Sequence, residues 1–247
     1  MMDELVILLP TYNEEKGIRD VILSIKKVMP HAKIVLADSS DDNTPKIAKE
    51  LGAEVLWTPP TGKGNAVKDA FQRIEAKKLI MLDGDGTYLP ENLPAMEKLL
   101  DEYDVVLGSR LRGKMEKGAM PPLNHFTNIF TTTYANLLFG SNISDVMSGM
   151  IGFRYPVYKE LEISAKGFEL EVDMFSEIMK RKYKIAEMPI FFGKRYGTPK
   201  IVWMDAFKIL FHLTKKALPL LLKGQRGVKV TKLGFEDIKP LLKQHQE

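Results

Sequence analysis

The stretch Leu79-Ile80-Met81-Leu82-Asp83-Gly84-Asp85-Gly86-Thr87-Tyr88 places two carboxylates directly after a run of four apolar residues. Such a run is typical of a buried strand. Residues two apart in extended backbone point the same way, so we expect Asp83 and Asp85 to converge on one ligand, with Gly84 leaving room for its close approach. Carboxylates at a strand end suit Mg2+ or Mn2+ together with substrate phosphates, although an Asp-Gly pair is equally typical of a solvated turn.

Two further apolar runs, at residues 5–9 and 33–37, predict strands that end in polar loops and lead into helical patterns. The alternation continues to a strand at residues 104–108 and predicts an α/β fold with a mostly parallel sheet and helices on both faces. Ligands of such sheets bind beyond the carboxyl ends of the strands. The loop after the first strand, Asp38 after the second and Asp83 after the fourth should therefore share one crevice.

Size and composition limit the class of protein. The 247 residues suit one generous α/β domain, and 45% apolar with 28% charged residues is ordinary for a soluble globular chain. The absence of cysteine excludes disulfides, thiolate metal sites and cysteine nucleophiles. Lysine and arginine outnumber the acids by 36 to 32, and the charges are mixed along the chain, so no nucleic-acid partner is indicated. An anionic small molecule or a membrane surface would explain this excess equally well.

Two common phosphate-binding signatures are absent from the sequence. The segment Thr61-Gly62-Lys63-Gly64 fails as a P-loop, because Trp57 and Gly64 stand where a glycine and a serine or threonine are required. No Gly-x-Gly-x-x-Gly follows the first strand, which argues against a dinucleotide site. The first residues lack the basic start of a signal peptide and no long uncharged apolar window occurs, so we expect no transmembrane helix.

Eight sequence blocks in order resemble glycosyltransferase family 2, and the last four look like its dolichyl-phosphate sugar synthase branch. The blocks are Pro10-Thr11-Tyr12-Asn13-Glu14, Asp38-Ser39-Ser40-Asp41-Asp42-Asn43-Thr44, Gly62-Lys63-Gly64-Asn65-Ala66, Asp83-Gly84-Asp85, Gly108-Ser109-Arg110, Asp145-Val146-Met147-Ser148-Gly149, Gly167-Phe168-Glu169 and Arg195-Tyr196-Gly197-Thr198-Pro199-Lys200. The resemblance implies a GT-A fold and inverting transfer of one hexose from a nucleotide sugar, GDP-mannose or a UDP-sugar, to a dolichyl or other polyprenyl phosphate. We assign residues 1–200 to this domain and residues 201–247 to a C-terminal amphipathic helix and a basic tail.

The resemblance also implies which residues contact the nucleotide sugar. The predicted donor contacts are Pro10, Tyr12 and Glu14 for base and ribose, Asp38 for the base, Asp83 for the ribose or the sugar, and Lys63 and Glu169 elsewhere on the donor. Where the family usually has two adjacent acids and a glycine, this chain has Ala37, Asp38 and Ser39, which leaves the preferred base open.

Metal and phosphate binding are implied in the same way. Asp85 would be the main protein ligand of Mg2+ or Mn2+, with Thr87 as a weaker neutral ligand where the family often has an amide. Arg110, Arg195 and Lys200 would bind phosphates of donor or acceptor. The predicted catalytic residues are Asp83, Asp85, Arg110 and Arg195.

The chemistry explains why carboxylates and cations are needed together. Negative charge develops on the departing diphosphate, and a metal on Asp85 would stabilise it. A phosphate acceptor is already largely dianionic at neutral pH, because its second pKa is about 6, and it needs no general base. Cationic side chains would anchor it instead. Arg112 and Lys114 are further candidates for this anchoring, although a solvated basic loop explains them equally well.

Three acids, Glu169, Glu171 and Asp173, fall at spacing two in a predicted helix at residues 168–180. A helix spreads such positions round its surface, and the resemblance places the first of them near the donor sugar. We therefore favour a functional role for Glu169 over the other two. The four histidines show no ligand-like spacing, and we expect them to pack.

A lipid acceptor requires a surface that meets the membrane, and two segments qualify. Residues 203–222 place aromatic and leucine side chains along one face beside lysines, which favours an interfacial amphipathic helix, although a homodimer interface is an alternative. Residues 121–140 carry no Asp, Glu, Lys or Arg, and membrane contact and core packing explain them equally well. We expect a cytoplasmic chain that is peripheral at the cytoplasmic face of a membrane.

The leading hypothesis is a metal-dependent, membrane-associated, inverting glycosyltransferase. The first alternative is an enzyme of the same fold with a soluble acceptor. The second is a non-catalytic nucleotide-sugar-binding protein, which Ala37 and Thr87 keep open because both depart from the family pattern.

Overall fold

The computed structural model describes residues 2–181, 183–196, 203–224 and 227–243. These residues form an eight-stranded sheet with helices on both faces. In chain order the strands are β1 (Asp3–Thr11), β2 (Lys33–Asp38), β3 (Glu54–Trp57), β4 (Ala76–Met81), β5 (Val105–Met115), β6 (Ile151–Arg154), β7 (Ile185–Phe192) and β8 (Val230–Lys232). Across the sheet they lie in the order β3-β2-β1-β4-β6-β5-β7-β8.

Among these strands, β6 runs antiparallel to its neighbours β4 and β5, and the other neighbouring pairs are parallel. The prediction of a mostly parallel α/β sheet is confirmed. The direction of β6 carries no local sequence signal, because it follows from pairings with distant strands. Phe153 lies opposite Leu79 on β4 and opposite Val105 on β5.

The helices bury apolar stripes against the two faces of the sheet. They are α1 (Ile18–Val28), α2 (Thr44–Glu50), α3 (Lys63–Arg73), α4 (Leu93–Leu99), α5 (Pro122–Phe139), α6 (Val157–Glu160), α7 (Leu170–Lys180), α8 (Trp203–Leu222) and α9 (Phe235–Lys243). In α1, Ile18, Val21, Ile22 and Ile25 recur at helical spacing and all are buried. Full burial of such a side chain contributes about 1.5–3 kcal/mol. Helices α1, α2, α4 and α9 cover one core, and α3, α5, α6, α7 and α8 cover the other.

β4 ends at Met81, so Asp83 lies just after the strand. The prediction for β5 differs from the structure at the carboxyl end of the strand. β5 is longer than predicted, because it pairs with β7 up to Ser109 and, after a register shift, again from Lys114. The interpretation of Arg112 and Lys114 as members of a solvated loop is therefore wrong, since both lie on β5.

The chain after residue 203 packs onto the elements that precede it. α8 lies against α5 and α7, β8 pairs with β7, and α9 packs against α4. The hydroxyls of Tyr134 and Thr214 join α5 to α8 at 2.8 Å. Among the helices of the described residues, none has the length and apolar character that crossing a membrane requires. Lys200, a predicted phosphate contact, lies outside the described residues.

Candidate active site

The acidic turn after β4 holds the two carboxylates that begin the candidate site. Asp85 is 4% exposed, and its Oδ1 accepts hydrogen bonds from the Thr87 amide at 3.0 Å and the Thr87 hydroxyl at 2.6 Å. Asp83 instead pairs with Lys63. The expectation of extended backbone here is wrong, because Gly84 and Asp85 lie in a turn and the two carboxylates take different partners.

Two glycines make this turn possible, each for a packing reason. A Cβ on Gly84 would lie 2.6 Å from the methyl carbon of Thr11, so close packing requires glycine there. Close approach of a ligand at Gly84 remains a prediction beside this packing reason. Gly86 has a φ of +83°, and a Cβ on it would lie 2.4 Å from the ring of Tyr196. The Tyr196 amide also donates to the carbonyl of Asp85 at 3.0 Å, which fixes the segment after β7 on the turn.

That segment brings Arg195 to Asp85. The Nη2 of Arg195 lies 2.7 Å from the Oδ2 of Asp85, and the guanidinium side chain is 29% exposed. Two of the predicted catalytic residues are thus in direct contact, although they are far apart in sequence. With Thr87 on Oδ1 and Arg195 on Oδ2, the orientation of the Asp85 carboxylate is fixed.

Lys63 lies between two carboxylates. Its Nζ is 2.6 Å from Asp83 Oδ1 and 2.6 Å from Glu171 Oε1. Burial lowers the pKa of the Lys63 ammonium. The two carboxylates raise this pKa by more than burial lowers it, so the net shift is upward. Burial raises the pKa of Asp83, whereas Lys63, Arg195 and Arg110 lower it, and the net shift is downward. Both groups are therefore charged at neutral pH.

The backbone on either side of Lys63 is packed against the loop that precedes α7. The Gly64 amide donates to the carbonyl of Lys166 at 3.0 Å. A Cβ on Gly62 would lie 2.2 Å from the Lys166 carbonyl oxygen, and a Cβ on Gly64 would lie 2.2 Å from the Ala165 carbonyl oxygen. Neighbouring main chain therefore requires glycine on both sides of Lys63.

Gly64→Ala should separate these two segments. Main-chain carbonyl groups cannot yield by a side-chain rotation, so we expect the unfolding free energy to fall by about 1–3 kcal/mol and activity to fall with it. Urea unfolding measures the stability change. Gly234→Ala is the matched control, because a Cβ on Gly234 meets no atom closer than 3.5 Å. Equal stability of Gly64→Ala and the unaltered protein would contradict the packing argument.

Arg110 is held by Asp145 in a buried, two-pronged ion pair. Its Nε lies 2.8 Å from Asp145 Oδ2, its Nη2 lies 2.8 Å from Oδ1, and the Arg110 amide donates to Oδ2 at 2.9 Å. The guanidinium carbon is 5.5 Å from the centre of the Phe192 ring. Burial lowers the pKa of Arg110, but Asp145 and Tyr88 raise this pKa and the net shift is upward. Asp145 belongs to a quoted sequence block, yet the sequence alone gave it no role.

Tyr88 is a second residue that the sequence did not single out. Its hydroxyl is buried and accepts a hydrogen bond from the Gly149 amide at 2.6 Å. A Cβ on Gly149 would lie 2.8 Å from Asp83 Oδ2, so this amide and the carboxylate are close neighbours. Burial raises the pKa of the Tyr88 phenol, which stays protonated. Its position directly after the acidic turn is the only sequence signal that could have indicated it.

The three acids at the start of α7 have different partners. Glu169 and Asp173 both accept hydrogen bonds from backbone amides of the loop at residues 164–167. Glu171 instead reaches Lys63 and joins the cluster of charged side chains. The structure thus adds Glu171 to the charged cluster, and the preference for Glu169 as a donor contact remains a prediction.

Asp173 also connects α7 to α8. Its Oδ1 lies 2.9 Å from the Nε2 of His212 and 2.7 Å from the Nζ of Lys216, and the same Nζ lies 2.8 Å from Glu177 Oε1. The expectation that His212 only packs is wrong. Burial raises the pKa of Asp173, but His212, Lys216 and the Ala165 amide lower this pKa, and the net shift is downward.

The loops after β1 and β2 lie side by side at the same edge of the sheet, next to the turn after β4, as predicted. Asp38 is fully buried, and its Oδ1 accepts hydrogen bonds from the hydroxyls of Thr11 at 2.6 Å and Ser40 at 2.7 Å. Tyr12 is 47% exposed at this edge. Pro10 and Asp38 lie at the ends of β1 and β2, and Tyr12 and Glu14 lie after β1. The donor contacts of these four residues remain predictions.

Arg112 and Lys114 have partners away from the acidic turn. The Nη2 of Arg112 donates to the carbonyl of Leu233 at 2.9 Å, and its Nη1 lies 3.7 Å from Glu187 Oε2. The ammonium of Lys114 lies 5.2 Å from the centre of the Phe235 ring. The structure thus brings Arg110 and Arg195 to the site and directs Arg112 and Lys114 toward β7, β8 and α9.

Comparison with known proteins assigns this arrangement to a family. The model of the family described as Glycosyl transferase family 2 matches residues 6–162, more than half of the chain. The chain belongs to glycosyltransferase family 2. The prediction that it is a glycosyltransferase is confirmed at the level of the family.

Named relatives of this chain come from Haloferax volcanii and Micrococcus luteus. The protein named Dolichyl-phosphate hexose transferase is 36% identical over 203 residues, which cover 81% of this chain and 87% of that relative. The protein named Low-salt glycan biosynthesis hexosyltransferase Agl6 is 36% identical over 200 residues, covering 78% of this chain and 48% of Agl6. The chain thus spans about half the length of Agl6. The Undecaprenyl-phosphate mannosyltransferase of Micrococcus luteus is 27% identical over 203 residues, covering 76% of this chain and 83% of that relative.

Solved structures support the GT-A fold that family 2 implies. Glucosyl-3-phosphoglycerate synthase from Mycobacterium tuberculosis, solved with Mn2+, UDP and glucosyl-3-phosphoglycerate, superposes with a TM-score of 0.68. The superposition covers 87% of this chain and 80% of that chain at 18% identity. The GT-A prediction is therefore confirmed.

The carboxylate of Asp85 is the kind of ligand that a divalent metal takes when substrate phosphates complete its shell. Among the described residues, no group of three His, Cys, Asp or Glu side chains could hold a metal by itself. Mg2+ usually takes one or two protein carboxylates and completes its shell with water and substrate phosphates, and Asp85 provides such a carboxylate. The charged side chains of the cluster leave a formal charge of −1: Asp83, Asp85, Asp145 and Glu171 against Lys63, Arg110 and Arg195.

Proposed function

We propose that this chain transfers one hexose from a nucleotide sugar to a polyprenyl phosphate such as dolichyl phosphate, with inversion at the sugar carbon and with a divalent metal. One observation carries the proposal: the carboxylates of the site are surrounded by fixed cations. A general base works best with a pKa near the working pH, whereas the pKa of Asp83 is lowered. A phosphate acceptor needs no such base, because it is already ionised. The names of the relatives from Haloferax volcanii and Micrococcus luteus agree with a polyprenyl phosphate acceptor.

Some residues of the cluster would bind the metal and the donor, and others would bind the acceptor. Asp85, assisted by Thr87, would hold Mg2+ or Mn2+. When bound, this ion offsets the charge that develops on the departing diphosphate. Lys63 and Arg195 are fixed cations beside the two aspartates and would orient donor phosphates, while Arg110 and Lys200 would anchor the phosphate of the acceptor.

The acceptor is a lipid, and the exposed sides of α5 and α8 offer a surface for its membrane. We define the apolar face as the exposed apolar side chains of these two packed helices: Leu123, Phe126, Ile129, Phe130, Leu137, Phe207, Phe211, Leu218 and Leu222. On α8 these positions recur every three to four residues or multiples of that spacing, so they form one stripe. Lys208 and Lys215 are exposed beside the stripe and suit anionic headgroups. We place the chain at the cytoplasmic surface of the membrane through this face.

Substitution in the apolar face should weaken membrane binding. In Phe130→Ser/Phe211→Ser, two rings that are 51% and 71% exposed in the structure are removed. Because insertion of each ring is worth about 1.5–3 kcal/mol when complete, we expect at least a tenfold weaker association, ~1.4 kcal/mol, with anionic vesicles in a sedimentation assay. Leu23→Ser/Trp57→Ser removes exposed apolar side chains elsewhere and should bind as before. Unchanged vesicle binding, with a dimer converted to a monomer, would assign the face to a homodimer interface.

The central experiment mixes the purified chain with Mg2+ or Mn2+, dolichyl phosphate and labelled GDP-mannose, UDP-glucose or UDP-N-acetylglucosamine. We expect label from one donor to enter the organic phase and EDTA to prevent the transfer. A parallel arm offers 3-phosphoglycerate as a soluble acceptor. Label on that acid alone would replace the proposal with the soluble-acceptor alternative. Donor binding without transfer to any acceptor would replace it with a nucleotide-sugar-binding protein.

A further inference from the structure

Glu171 is a buried carboxylate that directly contacts a predicted donor-binding residue. Its side chain is 7% exposed, and its Oε1 lies 2.6 Å from the Nζ of Lys63. We propose that Glu171 is a positioning residue that sets the direction of the Lys63 ammonium toward the diphosphate of the donor. This inference rests on the proposed function, because it specifies how that site receives a nucleotide sugar.

The geometry leaves one hydrogen of Lys63 for a ligand. An ammonium group carries three N–H donors, and two of them are directed at Asp83 Oδ1 and Glu171 Oε1. With two directions occupied, the third is fixed by the tetrahedral geometry at nitrogen. Without Glu171, the ammonium could rotate about its one remaining partner, Asp83. Two carboxylates therefore orient Lys63 more narrowly than one would.

The main chain of Lys63 is fixed independently of Glu171. Gly62 and Gly64 pack against the carbonyl groups at residues 165–166, and the amides of that loop are held by other acids of α7. The remaining freedom of Lys63 is in its long side chain. Loss of Glu171 should therefore release the ammonium while the loop stays in place, which separates a positioning role from a structural one.

The charge balance around Lys63 also argues for a positioning role of Glu171. Asp83 alone would neutralise Lys63, so a second buried carboxylate is not needed for charge balance between these two residues. A buried ion pair is also weak evidence for stability, because desolvation opposes the attraction. Glu171 and Asp83 are on separate elements, α7 and the turn after β4, and both meet at Lys63 on α3. The arrangement thus holds one cation from two sides.

The test is a double-mutant cycle of Glu171→Gln and Lys63→Met, with kcat, KM and the Kd of the nucleotide sugar as readouts. Glutamine keeps an oxygen for Lys63 but loses the charge, so we expect kcat to fall about tenfold to a hundredfold and the Kd of the donor to rise a few-fold. In the Lys63→Met background, the same Glu171→Gln change should alter neither quantity, because its effect passes through Lys63. Additive effects would overturn the inference.

Glu177→Gln supplies the matched control. Glu177 is also a buried glutamate of α7 that pairs with a lysine, Lys216, and it does not contact Lys63. It should lose stability in urea while the folded enzyme keeps its kcat. If Glu171→Gln behaves in the same way, Glu171 is structural and the inference fails.

The two proposals fail separately in this design. The donor Kd is measured by calorimetry with GDP-mannose, UDP-glucose or UDP-N-acetylglucosamine and needs no acceptor. Absence of transfer to dolichyl phosphate by the unaltered protein would overturn the proposed function alone. The cycle on donor Kd would still decide whether Glu171 acts through Lys63. A protein that binds none of these donors overturns both.

Discussion

Asp85→Asn should lower the rate of sugar transfer about a thousandfold or more. Asparagine keeps an oxygen for Thr87 but removes the negative charge that would hold a divalent metal and that now pairs with Arg195. A metal that stabilises a developing charge contributes several kcal/mol, and each 1.36 kcal/mol corresponds to about tenfold in rate. Initial rates at increasing Mn2+ concentration measure the loss, and a direct Mn2+ titration in the presence of the donor measures binding.

Asp69→Asn is the control for Asp85→Asn. Asp69 is an exposed acid that pairs with Arg73 within α3, so its neutralisation should leave transfer and metal titration unchanged. If Asp85→Asn retained more than a tenth of the activity at saturating metal, Asp85 would not be the main ligand. If the unaltered protein bound nucleotide sugar without turnover, and Asp85→Asn only weakened that binding, the non-catalytic alternative would stand.

Local sequence patterns predicted the parts of this fold that depend on local interactions. The runs at residues 5–9 and 33–37 are strands, and the polar loops after them do meet at one edge of the sheet. What the patterns missed depends on distant partners. β6 is antiparallel because of its hydrogen-bonded pairing with the distant strands β4 and β5. β5 continues past Ser109 because β7 pairs with it there. A polar segment with alternating basic residues has no local feature that distinguishes such a strand from a loop.

The same distinction applies to the site. Asp83, Asp85, Arg110 and Arg195 lie in recognisable blocks, and the structure brings them into one cluster. Glu171 is separated from Lys63 by 108 positions, and their contact depends on where the tertiary structure places the start of α7 relative to the start of α3. Helical spacing says on which side of its own helix an acid lies, but it does not say which cation of another element it meets. Pairings of this kind require the tertiary structure.

Asp173→Asn should lower the unfolding free energy by about 3–5 kcal/mol, because it leaves the Lys216 ammonium and two backbone amide donors without their carboxylate. The Asp173 side chain is fully buried and lies 2.7 Å from Lys216 Nζ, and its Oδ2 accepts the amides of Ser164 at 2.6 Å and Ala165 at 2.7 Å. An asparagine can offer its oxygen to one side only, and its NH2 group would face a donor on the other. Urea unfolding near neutral pH measures the change.

The pH dependence of stability gives this prediction a second readout. The pKa of Asp173 is lower in the folded protein than the unfolded value of about 3.9, so the unfolded chain binds the proton more readily. The stability that this carboxylate contributes is therefore fully present above about pH 5 and is lost as pH falls through the folded pKa. We expect the unfolding free energy of the unaltered protein to decline below about pH 5, and that of Asp173→Asn to decline less steeply.

Asp101→Asn is the control that compares the loss of a surface carboxylate with the loss of the buried Asp173 carboxylate. Asp101 pairs with Lys78 at the surface and is 53% exposed, so its loss should change stability by less than about 0.5 kcal/mol and leave the pH slope unaltered. An unaltered slope in Asp173→Asn would show that other carboxylates, such as Glu177, dominate the acid response.

The wider consequence of Asp173→Asn concerns the connection between the proposed membrane surface and the proposed donor site. Asp173 pairs with Lys216 of α8, and α8 carries part of the apolar face. Asp173 also accepts a hydrogen bond from the Ala165 amide, in the loop against which Gly64 packs. If these contacts make α8 and the loop one cooperative unit, amide exchange in Asp173→Asn should accelerate in both together, with β1 little changed. Faster exchange in α8 alone would show that α8 and the loop are held independently, and that α8 can loosen without disturbing Lys63.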